Sequence, residues 1–310
     1  MKATLQIITL YKALSKYSQN GVYASQRCYS LNGVYASQRC YSLMSDLHLE
    51  FNSISIQMPK SNLISKSNLI PKSNLILAGD IGYPSHKSYK EFLYNCSKLY
   101  QNIYLITGNH EYYESLKTNQ TMNEINIEIQ SICDKINLTK SETCGHIYFL
   151  DNKMIYDNFT NTYIIGSTLW THINEENKSS SSYSNDYNYI KDLTVDKTNE
   201  MFNTNYNFIK SSIDIVKLHK QIKPSIKCII ITHHMPSYKL IHPKYKHMTH
   251  ITPFFATNCD VLIGEPVDYW IYGHTHTASK HQINNTILIS NPKGYAKQQS
   301  GYDPNLNIQI

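Results

Sequence analysis

Five short groups of residues that could bind metal ions occur along the chain, and each group follows or closes an apolar stretch typical of a buried strand. Their side chains offer nitrogen or oxygen atoms and no thiolate. Such ligands suit two divalent cations bridged by a carboxylate, an arrangement that catalyses the hydrolysis of phosphate esters. The residues predicted to bind metal are Asp46, His48, Asp80, Asn109, His233, His274 and His276.

The spacing within these groups suggests how the side chains are presented. Asp46 and His48 are two residues apart, as are His274 and His276, and side chains two apart point to the same side of an extended strand end. Asp80 follows a glycine, which predicts a carboxylate in a tight turn, able to bridge two cations. One such group occurs by chance in many proteins. All five in order, each at the end of a predicted strand, indicate a functional site.

The elements that would position these groups alternate between strands and helices, which predicts a layered α/β fold. In an open sheet of this class, ligands converge at the ends of the strands. Residues 174–188 are rich in Ser, Asn and Tyr, lack periodicity and are predicted to be a loop. Strands are predicted at 41–44, 75–78, 103–107, 147–150, 154–156, 163–167, 228–232, 269–272 and 286–290, and helices near 86–100, 121–136 and 198–218.

Two tandem repeats occur near the start of the chain. Residues 20–31 recur unchanged as residues 32–43, and the hexapeptide at 59–64 recurs with little change at 65–70 and again at 71–76. These periods are too short, and the copies too few, for a repeat fold. The repeats are therefore interpreted as duplications that lengthened loops, which costs little stability.

The strand that leads into Asp46 lies in the second copy of the longer repeat. Residues 41–44 are the apolar stretch directly before Asp46, so we predict that they form this strand and that residues 1–40 are a loosely ordered extension. The predicted domain organisation is an N-terminal extension at residues 1–43 and a single domain at residues 44–310.

Composition and charge argue against several classes of protein. The formal net charge is +6 and the basic residues are scattered, so no nucleic-acid partner is expected. No apolar stretch approaches the ~20 residues of a membrane span, and neither a membrane nor an obligate protein partner is expected. Seven cysteines without a CxxC motif favour a reducing compartment, so we expect a cytoplasmic protein. Residues 1–45 are rich in Ser and lack Asp and Glu, which leaves organellar targeting as an alternative.

The ordered groups resemble the calcineurin-like metallophosphoesterase superfamily, whose pattern is D-x-H, G-D, G-N-H-[DE], H and G-H-x-H. The segments SDLHLEF, LILAGDIG, ITGNHEYY, THHMPS and WIYGHTH are similar to those of small cytoplasmic phosphoesterases, and the similarity extends over residues 44–295. This resemblance implies an α/β/β/α sandwich in a single domain. It also implies a metal-dependent phosphoric ester hydrolase with two divalent metal ions, for which Mn, Fe and Zn all suit the ligand types.

The same resemblance implies a role for each residue of the groups. His110 would be the general acid that protonates the leaving-group oxygen, while a hydroxide that bridges the two metals attacks a small phosphomonoester or phosphodiester. His234 and Glu111 are further candidates for contact with the substrate. The first metal would be bound by Asp46, His48, Asp80 and His276, and the second by Asp80, Asn109, His233 and His274.

The sequence leaves alternative functions open. Protein serine/threonine phosphatases of the superfamily carry an Asp-Arg-Gly after Gly-Asp and an arginine before Gly-Asn-His-Glu. Both arginines are missing here, which favours a small-molecule substrate. The main alternative is a non-catalytic or damaged scaffold that binds a protein partner, although such proteins usually lose ligands and this chain retains all of them. A nuclease would need clustered Lys and Arg residues, which this sequence lacks.

Overall fold

The computed structural model describes residues 22–24, 40–51, 73–139 and 144–310. Most of the predicted extension and the first two hexapeptide copies lie outside the described residues. The strands are β1 (Val22–Ala24), β2 (Cys40–Met44), β3 (Asn74–Ala78), β4 (Asn102–Ile106), β5 (His146–Phe149), β6 (Lys153–Asp157), β7 (Thr162–Gly166), β8 (Lys227–Ile231), β9 (Tyr269–Tyr272), β10 (Ser279–Ile283), β11 (Thr286–Ser290) and β12 (Asn307–Gln309). The α-helices are α1 (Lys87–Leu99), α2 (Ser115–Thr118), α3 (Met122–Leu138), α4 (Asp186–Tyr189) and α5 (Val195–Ile222).

Two mixed sheets form the centre of the fold. The five-stranded sheet has the order β12-β2-β3-β4-β5, in which β12 is antiparallel to β2 and the other pairs are parallel. The seven-stranded sheet has the order β1-β6-β7-β8-β9-β11-β10, with antiparallel pairs at β6–β7 and β10–β11. In the described part of the chain, no helix is both long and apolar enough to cross a membrane.

The alternation of side chains along the strands explains how the layers pack. In β3, Leu75 and Leu77 pack in a cluster with α1 and α3, whereas Ile76 and Ala78 pack in the cluster between the two sheets. The outer face of the seven-stranded sheet packs against α5, where Ile209 is fully buried. The helices therefore cover the outer faces of two stacked sheets, which confirms the predicted α/β/β/α sandwich in a single domain.

Strand β2, from the second copy of the longer repeat, is built into the five-stranded sheet. It pairs in parallel with β3, where Tyr41 lies opposite Asn74, and antiparallel with β12 on its other side. The predicted strand at residues 41–44 is thus confirmed, with one further residue at its start. The duplication before Asp46 leaves the lead-in strand in place.

Strand β1 comes from the first copy of the same repeat and lies in the other sheet. It pairs in parallel with β6 at the sheet edge, with Val22 opposite Met154. Residues 22–24 of the predicted extension thus pair with the seven-stranded sheet, and the predicted domain organisation stays a prediction. The predicted boundary between residues 43 and 44 falls inside β2, so the extension and the domain share that strand.

The three long helices occur where the apolar spacing predicts them. Helices α1 and α3 each begin one residue after the predicted start, and α5 begins three residues before it. Thr121 and Thr194 accept hydrogen bonds from backbone amides three residues further on, at 3.2 Å in both cases. These N-caps set the starts of α3 and α5, because a threonine side chain satisfies an otherwise unpaired amide of the first turn.

Some elements differ from the sequence prediction. Residues 174–188, predicted to be a loop, contain a 3₁₀ helix at Glu175–Tyr183 and the short helix α4. Polar turns of this kind have no apolar periodicity and leave no pattern to detect. Strands β10 and β12 were not predicted because they lie at sheet edges and bury few side chains.

Candidate metal centre

The predicted ligands lie in loops that directly follow strands. In each sheet the strands concerned are neighbours and parallel, so their carboxyl ends lie side by side. The structure brings the predicted ligands together where these ends of the two sheets meet. The loops carry Asp46 and His48 after β2, Asp80 after β3, Asn109 and His110 after β4, His233 after β8, and His274 and His276 after β9.

The backbone of these loops turns sharply at the ligands. Five of the predicted ligands have φ angles between 47° and 71°, a left-handed conformation that residues other than glycine rarely adopt. Such a conformation costs about 1–3 kcal/mol per residue and persists where the surrounding structure enforces it. The reasoning from side-chain alternation on an extended strand is therefore wrong, although the side chains do converge. The five residues are Asp46, His48, Asp80, His274 and His276.

Two glycines leave space for the ligand atoms. A side chain on Gly108 would overlap Asp80 Oδ1 and lie 2.6 Å from His233 Nε2. Gly79 has a φ of 84°, and a side chain there would lie 2.6 Å from His233 Nδ1. The Gly-Asp and Gly-Asn-His groups need glycine because the loops after β3, β4 and β8 approach one another closely.

One group of ligand atoms is formed by Asp46, His48 and His276, all within 4.8 Å of one another. The Nε2 atoms of the two histidines are 2.9 Å apart, and Asp46 Oδ1 lies 3.4 Å from His276 Nε2. The Asp46 carboxylate also accepts hydrogen bonds from the backbone amide of His274, at 2.9 and 3.1 Å. These bonds tie together the loops after β2 and β9.

A second group is formed by Asp80, His233 and His274, again with ligand atoms within 4.8 Å of one another. Asp80 Oδ2 lies 3.4 Å from His233 Nε2 and 3.9 Å from His48 Nε2, so this oxygen faces both groups. Burial would raise the pKa of Asp80, but the His233 and His110 rings outweigh it and hold the pKa well below its usual range. The arrangement suits a carboxylate shared by two adjacent cations.

Three of the histidines turn the same ring nitrogen, Nε2, towards the centre. His48 and His276 donate from Nδ1 to the side-chain oxygens of Glu50 and Gln298, at 3.0 and 2.6 Å. His233 donates from Nδ1 to a backbone carbonyl oxygen at 3.0 Å. Because these oxygens can only accept, Nδ1 carries a proton in each ring, which leaves Nε2 as the nitrogen that can bind a metal once it is deprotonated. Histidines that bind metals have this arrangement.

His274 completes the second group with its other ring nitrogen. Its Nδ1 lies 3.2 Å from His233 Nε2, while its Nε2 is buried without a hydrogen-bond partner. The centroid of the Phe255 ring lies 5.1 Å from that of His274. The complete set, with imidazole, carboxylate and amide ligands, fits two divalent cations of the Mn, Fe or Zn type.

The orientation of the Asn109 amide is set by Asp186, in a segment that was predicted to be a loop. Asn109 Nδ2 donates to Asp186 Oδ1 at 2.7 Å and to the Tyr113 hydroxyl at 3.0 Å. This leaves Asn109 Oδ1 directed at His233 Nε2, 3.1 Å away. An amide oxygen rather than an amide nitrogen therefore faces the centre, as a metal ligand requires.

His110 lies buried beside the centre, and its ring is held by several neighbours. Nδ1 donates to Glu50 Oε1 at 3.1 Å, and the ring stacks on Tyr113 with 4.0 Å between centroids. Nε2 lies 3.3 Å from the hydroxyl of Tyr295. Burial would lower the pKa of His110, but the Asp80 and Glu50 carboxylates outweigh it and raise the pKa. Because Nδ1 is bonded to the Glu50 carboxylate, Nε2 is the ring nitrogen of His110 that points away from Glu50.

Glu50 was missed by the sequence reasoning, yet its carboxylate joins two of the predicted site residues. Its side chain is 1% exposed, and Oε1 lies 3.0 Å from His48 Nδ1 and 3.1 Å from His110 Nδ1. One oxygen therefore fixes the same tautomer on both rings. In the sequence, Glu50 is only a glutamate two residues after His48, and its role cannot be predicted until the position of His110 is known.

Glu111 has both carboxylate oxygens occupied by backbone amides. Oε2 accepts from Gly108 at 2.7 Å and from Asp80 at 3.1 Å, and Oε1 accepts from Ile81 at 2.7 Å. Burial and the nearby Asp80 raise the pKa of Glu111 to about 8. This geometry holds the loops after β3 and β4 together, which favours a positioning role over the predicted contact with substrate.

His234, the other predicted substrate contact, is buried. Its ring lies 4.5 Å from the ring of His274 and 5.3 Å from that of Trp170. Burial and the neighbouring His233 lower the pKa of His234 to about 3, so the ring is neutral. A buried, neutral ring favours packing beside the centre over binding of a phosphate.

Comparison with known proteins agrees with this geometry. The profile of the calcineurin-like phosphoesterases matches residues 43–278, a span that contains all of the predicted ligands. The chain belongs to the calcineurin-like phosphoesterase family. This phosphoesterase is therefore a metal-dependent phosphoric ester hydrolase, and its family uses two divalent metal ions.

Two known proteins are similar to this phosphoesterase. An uncharacterized protein of Acanthamoeba polyphaga mimivirus is 32% identical to it over 286 residues, which cover 86% of this chain and 95% of the viral protein. Among solved structures, phosphopantetheinyl hydrolase from Mycobacterium tuberculosis is similar with a TM-score of 0.61, over 89% of this chain and 97% of that one. Sequence identity to the hydrolase is 12%, so this second similarity concerns the fold.

Proposed function

We propose that this phosphoesterase hydrolyses a small phosphate ester at a dinuclear metal centre, with His110 as the general acid. The observation that carries the proposal is the shared orientation of three rings. His48, His233 and His276 each donate from Nδ1 to an oxygen and turn Nε2 inward. A metal requires an unprotonated ring nitrogen, and hydrogen bonds to the opposite nitrogen supply it.

In this proposal two neighbouring metal sites share Asp80, whose Oδ2 lies 3.4 Å from His233 Nε2 and 3.9 Å from His48 Nε2. When bound, two such cations supply a nucleophile at neutral pH and stabilise the attacking and leaving oxygens of an in-line displacement. The first site is assigned to Asp46, His48, Asp80 and His276, and the second to Asp80, Asn109, His233 and His274.

In this proposal His110 donates a proton to the leaving-group oxygen. Its Nδ1 is held by Glu50, so the proton that moves is the one on Nε2. The Glu50 carboxylate, 3.1 Å away, stabilises the protonated ring, and the stack on Tyr113 fixes the plane in which Nε2 points. General acids held in this way contribute roughly 100- to 10,000-fold to the rate.

The ligand types and the amino-acid composition support proposals for the substrate, the metal, the partners and the location. Small phosphomonoesters and phosphodiesters both fit, and Mn²⁺ is the first metal to test. No nucleic acid, membrane or obligate protein partner is proposed. A cytoplasmic location is supported by the cysteines, because none of the six among the described residues forms a disulfide bond.

A panel assay tests the proposed function. Aryl monoesters, aryl diesters and cyclic nucleotides are incubated with the Mn²⁺-loaded protein, then with the chelated protein, and then with Mn²⁺ restored. We expect hydrolysis of at least one phosphate ester, loss on chelation, recovery with Mn²⁺, and two ions per chain by metal analysis. Absence of turnover throughout, with one ion or none per chain, would instead support the non-catalytic scaffold.

A further inference from the structure

Exposed aromatic rings stand next to His110, although the metal centre itself does not need them. Phe51 is 60% exposed and Tyr295 is 38% exposed, and their ring centroids are 5.7 Å apart. Large apolar side chains usually avoid such exposure when they are grouped, and a group of them marks a binding surface. Neither residue is a predicted ligand, and both lie within reach of the proposed proton donor.

Tyr295 connects this aromatic pair to the catalytic rings. Its hydroxyl lies 3.3 Å from His110 Nε2, and its ring lies 4.6 Å from the ring of His48 and 4.7 Å from that of His276. The backbone amide of Tyr295 donates to Gln298 Oε1, the oxygen that also accepts from His276. Tyr295 is therefore held in place by the same loop that supports a proposed ligand.

Phe51 lies on the same side of His110 as Tyr295 and presents its ring in a different plane. Its centroid lies 6.2 Å from that of His110, with the two planes 83° apart, and 6.4 Å from that of Tyr83, at 68°. The ring of Tyr295 lies at 73° to that of Phe51. The rings of Phe51 and Tyr295 contact each other edge to face, so a molecule that lies against the pair meets the face of one ring and the edge of the other.

We propose that Phe51 and Tyr295 form a subsite for a planar aromatic ring carried by the leaving group of the substrate. The proposal rests on the proposed function, because His110 identifies the side from which the leaving group departs. Both rings lie close to His110, so the ring of the substrate is attached to the leaving oxygen directly or through one further atom. The substrate class is therefore an aryl or benzyl phosphate ester.

Two phosphonates test the subsite without requiring hydrolysis. Benzylphosphonate and cyclohexylmethylphosphonate carry the same charged group and the same number of carbons, and only the first has a planar ring. Binding of each to the Mn²⁺-loaded protein is measured by calorimetry, with inorganic phosphate as the reference. The saturated ring is the more apolar, so a preference for benzylphosphonate reports on ring contacts rather than on burial alone. We expect benzylphosphonate to bind about tenfold more tightly, as two aromatic contacts imply.

Substitutions test whether the preference for benzylphosphonate comes from Phe51 and Tyr295. Phe51→Ala and Tyr295→Ala should each bring the ratio of the two dissociation constants towards one, while Tyr295→Phe keeps the ring and should keep the ratio. Phe159 is 67% exposed and lies in the turn between β6 and β7, so Phe159→Ala is the matched control and should change nothing. Equal binding of both phosphonates to the unmodified protein, or a ratio that survives both alanine substitutions, would overturn the subsite.

Turnover of 4-nitrophenyl phosphate, measured on the same preparations, separates this proposal from the proposed function. Turnover without a preference for benzylphosphonate contradicts the subsite alone. A preference that depends on Phe51 and Tyr295, in a protein that hydrolyses nothing, supports the subsite and contradicts the proposed function. Tighter binding of adenosine 5′-monophosphate than of ribose 5-phosphate, with the phosphonates equal, would place the ring contact further out and overturn the aryl assignment.

Discussion

The carboxylate of Asp186 lies 2.7 Å from the side-chain nitrogen of Asn109, although 77 residues separate the two in the chain. The same oxygen accepts from the Tyr113 hydroxyl at 2.8 Å. Asp186 thereby decides which end of the Asn109 amide faces His233. A residue in a polar turn thus controls a proposed metal ligand in a different loop.

Asp186→Ala should loosen the Asn109 amide and weaken the second metal site. Removal of such supporting partners typically costs about 10- to 100-fold in metal affinity or activity. We expect the Mn²⁺ concentration needed for half-maximal turnover to rise by this factor, and to rise less for Asp186→Asn, which keeps an acceptor oxygen. Asp214→Ala, on the exposed face of α5, is the control. Unchanged metal affinity in Asp186→Ala would show that Asn109 needs no external support.

Glu50→Ala should slow turnover through His110, because the protonated ring loses its carboxylate partner. We expect a fall of about 10- to 100-fold in kcat for phenyl phosphate, whose leaving group needs protonation. The fall in kcat should be much smaller for 4-nitrophenyl phosphate, because its leaving group is a weak base and needs little protonation. Glu50→Gln, which keeps one acceptor oxygen, should restore part of the loss. Equal losses for both substrates would contradict the role through His110 and indicate that Glu50 acts through His48 or the fold.

His110 and Asp80 should respond to substitution in different ways. His110→Ala should lower turnover by about 100- to 10,000-fold with both metal ions retained, because it removes a proton donor and no ligand. Asp80→Ala should lose metal and turnover together, because its carboxylate faces both sites. Metal analysis beside kinetics distinguishes the two, and His281→Ala on exposed β10 is the control. Loss of both ions in His110→Ala would reassign His110 as a ligand.

Chelation should lower the thermal stability of the protein as well as abolish turnover. A ligand at about 100 times its dissociation constant stabilises the folded state by about 2.7 kcal/mol per site. We expect a higher Tm with Mn²⁺ than after chelation, and the difference should shrink in Asp80→Ala. Differential scanning calorimetry of both proteins provides the measurement. Identical Tm values with and without Mn²⁺ would contradict a metal site in the folded protein.

Glu111→Ala should destabilise the fold, because three backbone amides lose their acceptor in the interior. A buried donor left without a partner costs about 1–3 kcal/mol, and these amides belong to Gly108, Asp80 and Ile81. Urea unfolding should show a lower midpoint. Glu114→Ala, which removes a partly exposed carboxylate nearby, should have a much smaller effect. A wild-type midpoint in Glu111→Ala would argue against the positioning role.

Local sequence patterns were sufficient for the strands and helices that carry the site. Apolar runs identified β3, β4, β8 and β9, and helical spacing identified α1, α3 and α5, because these signals depend on neighbouring residues. The order of the donor groups at the strand ends indicated a metal-dependent phosphoesterase. Those features could be read from the chain because they are short and contiguous.

The supporting contacts depended on how the two sheets pack. Glu50 acquires its role only when the loops after β2 and β4 meet, and Asp186 only when its turn reaches Asn109. The left-handed backbone at Asp46 and His48 replaced the extended geometry expected from their spacing. Hydrogen bonds between distant loops and the burial of His234 and Glu111 leave no local pattern, because they are determined by tertiary packing rather than by neighbours in the chain.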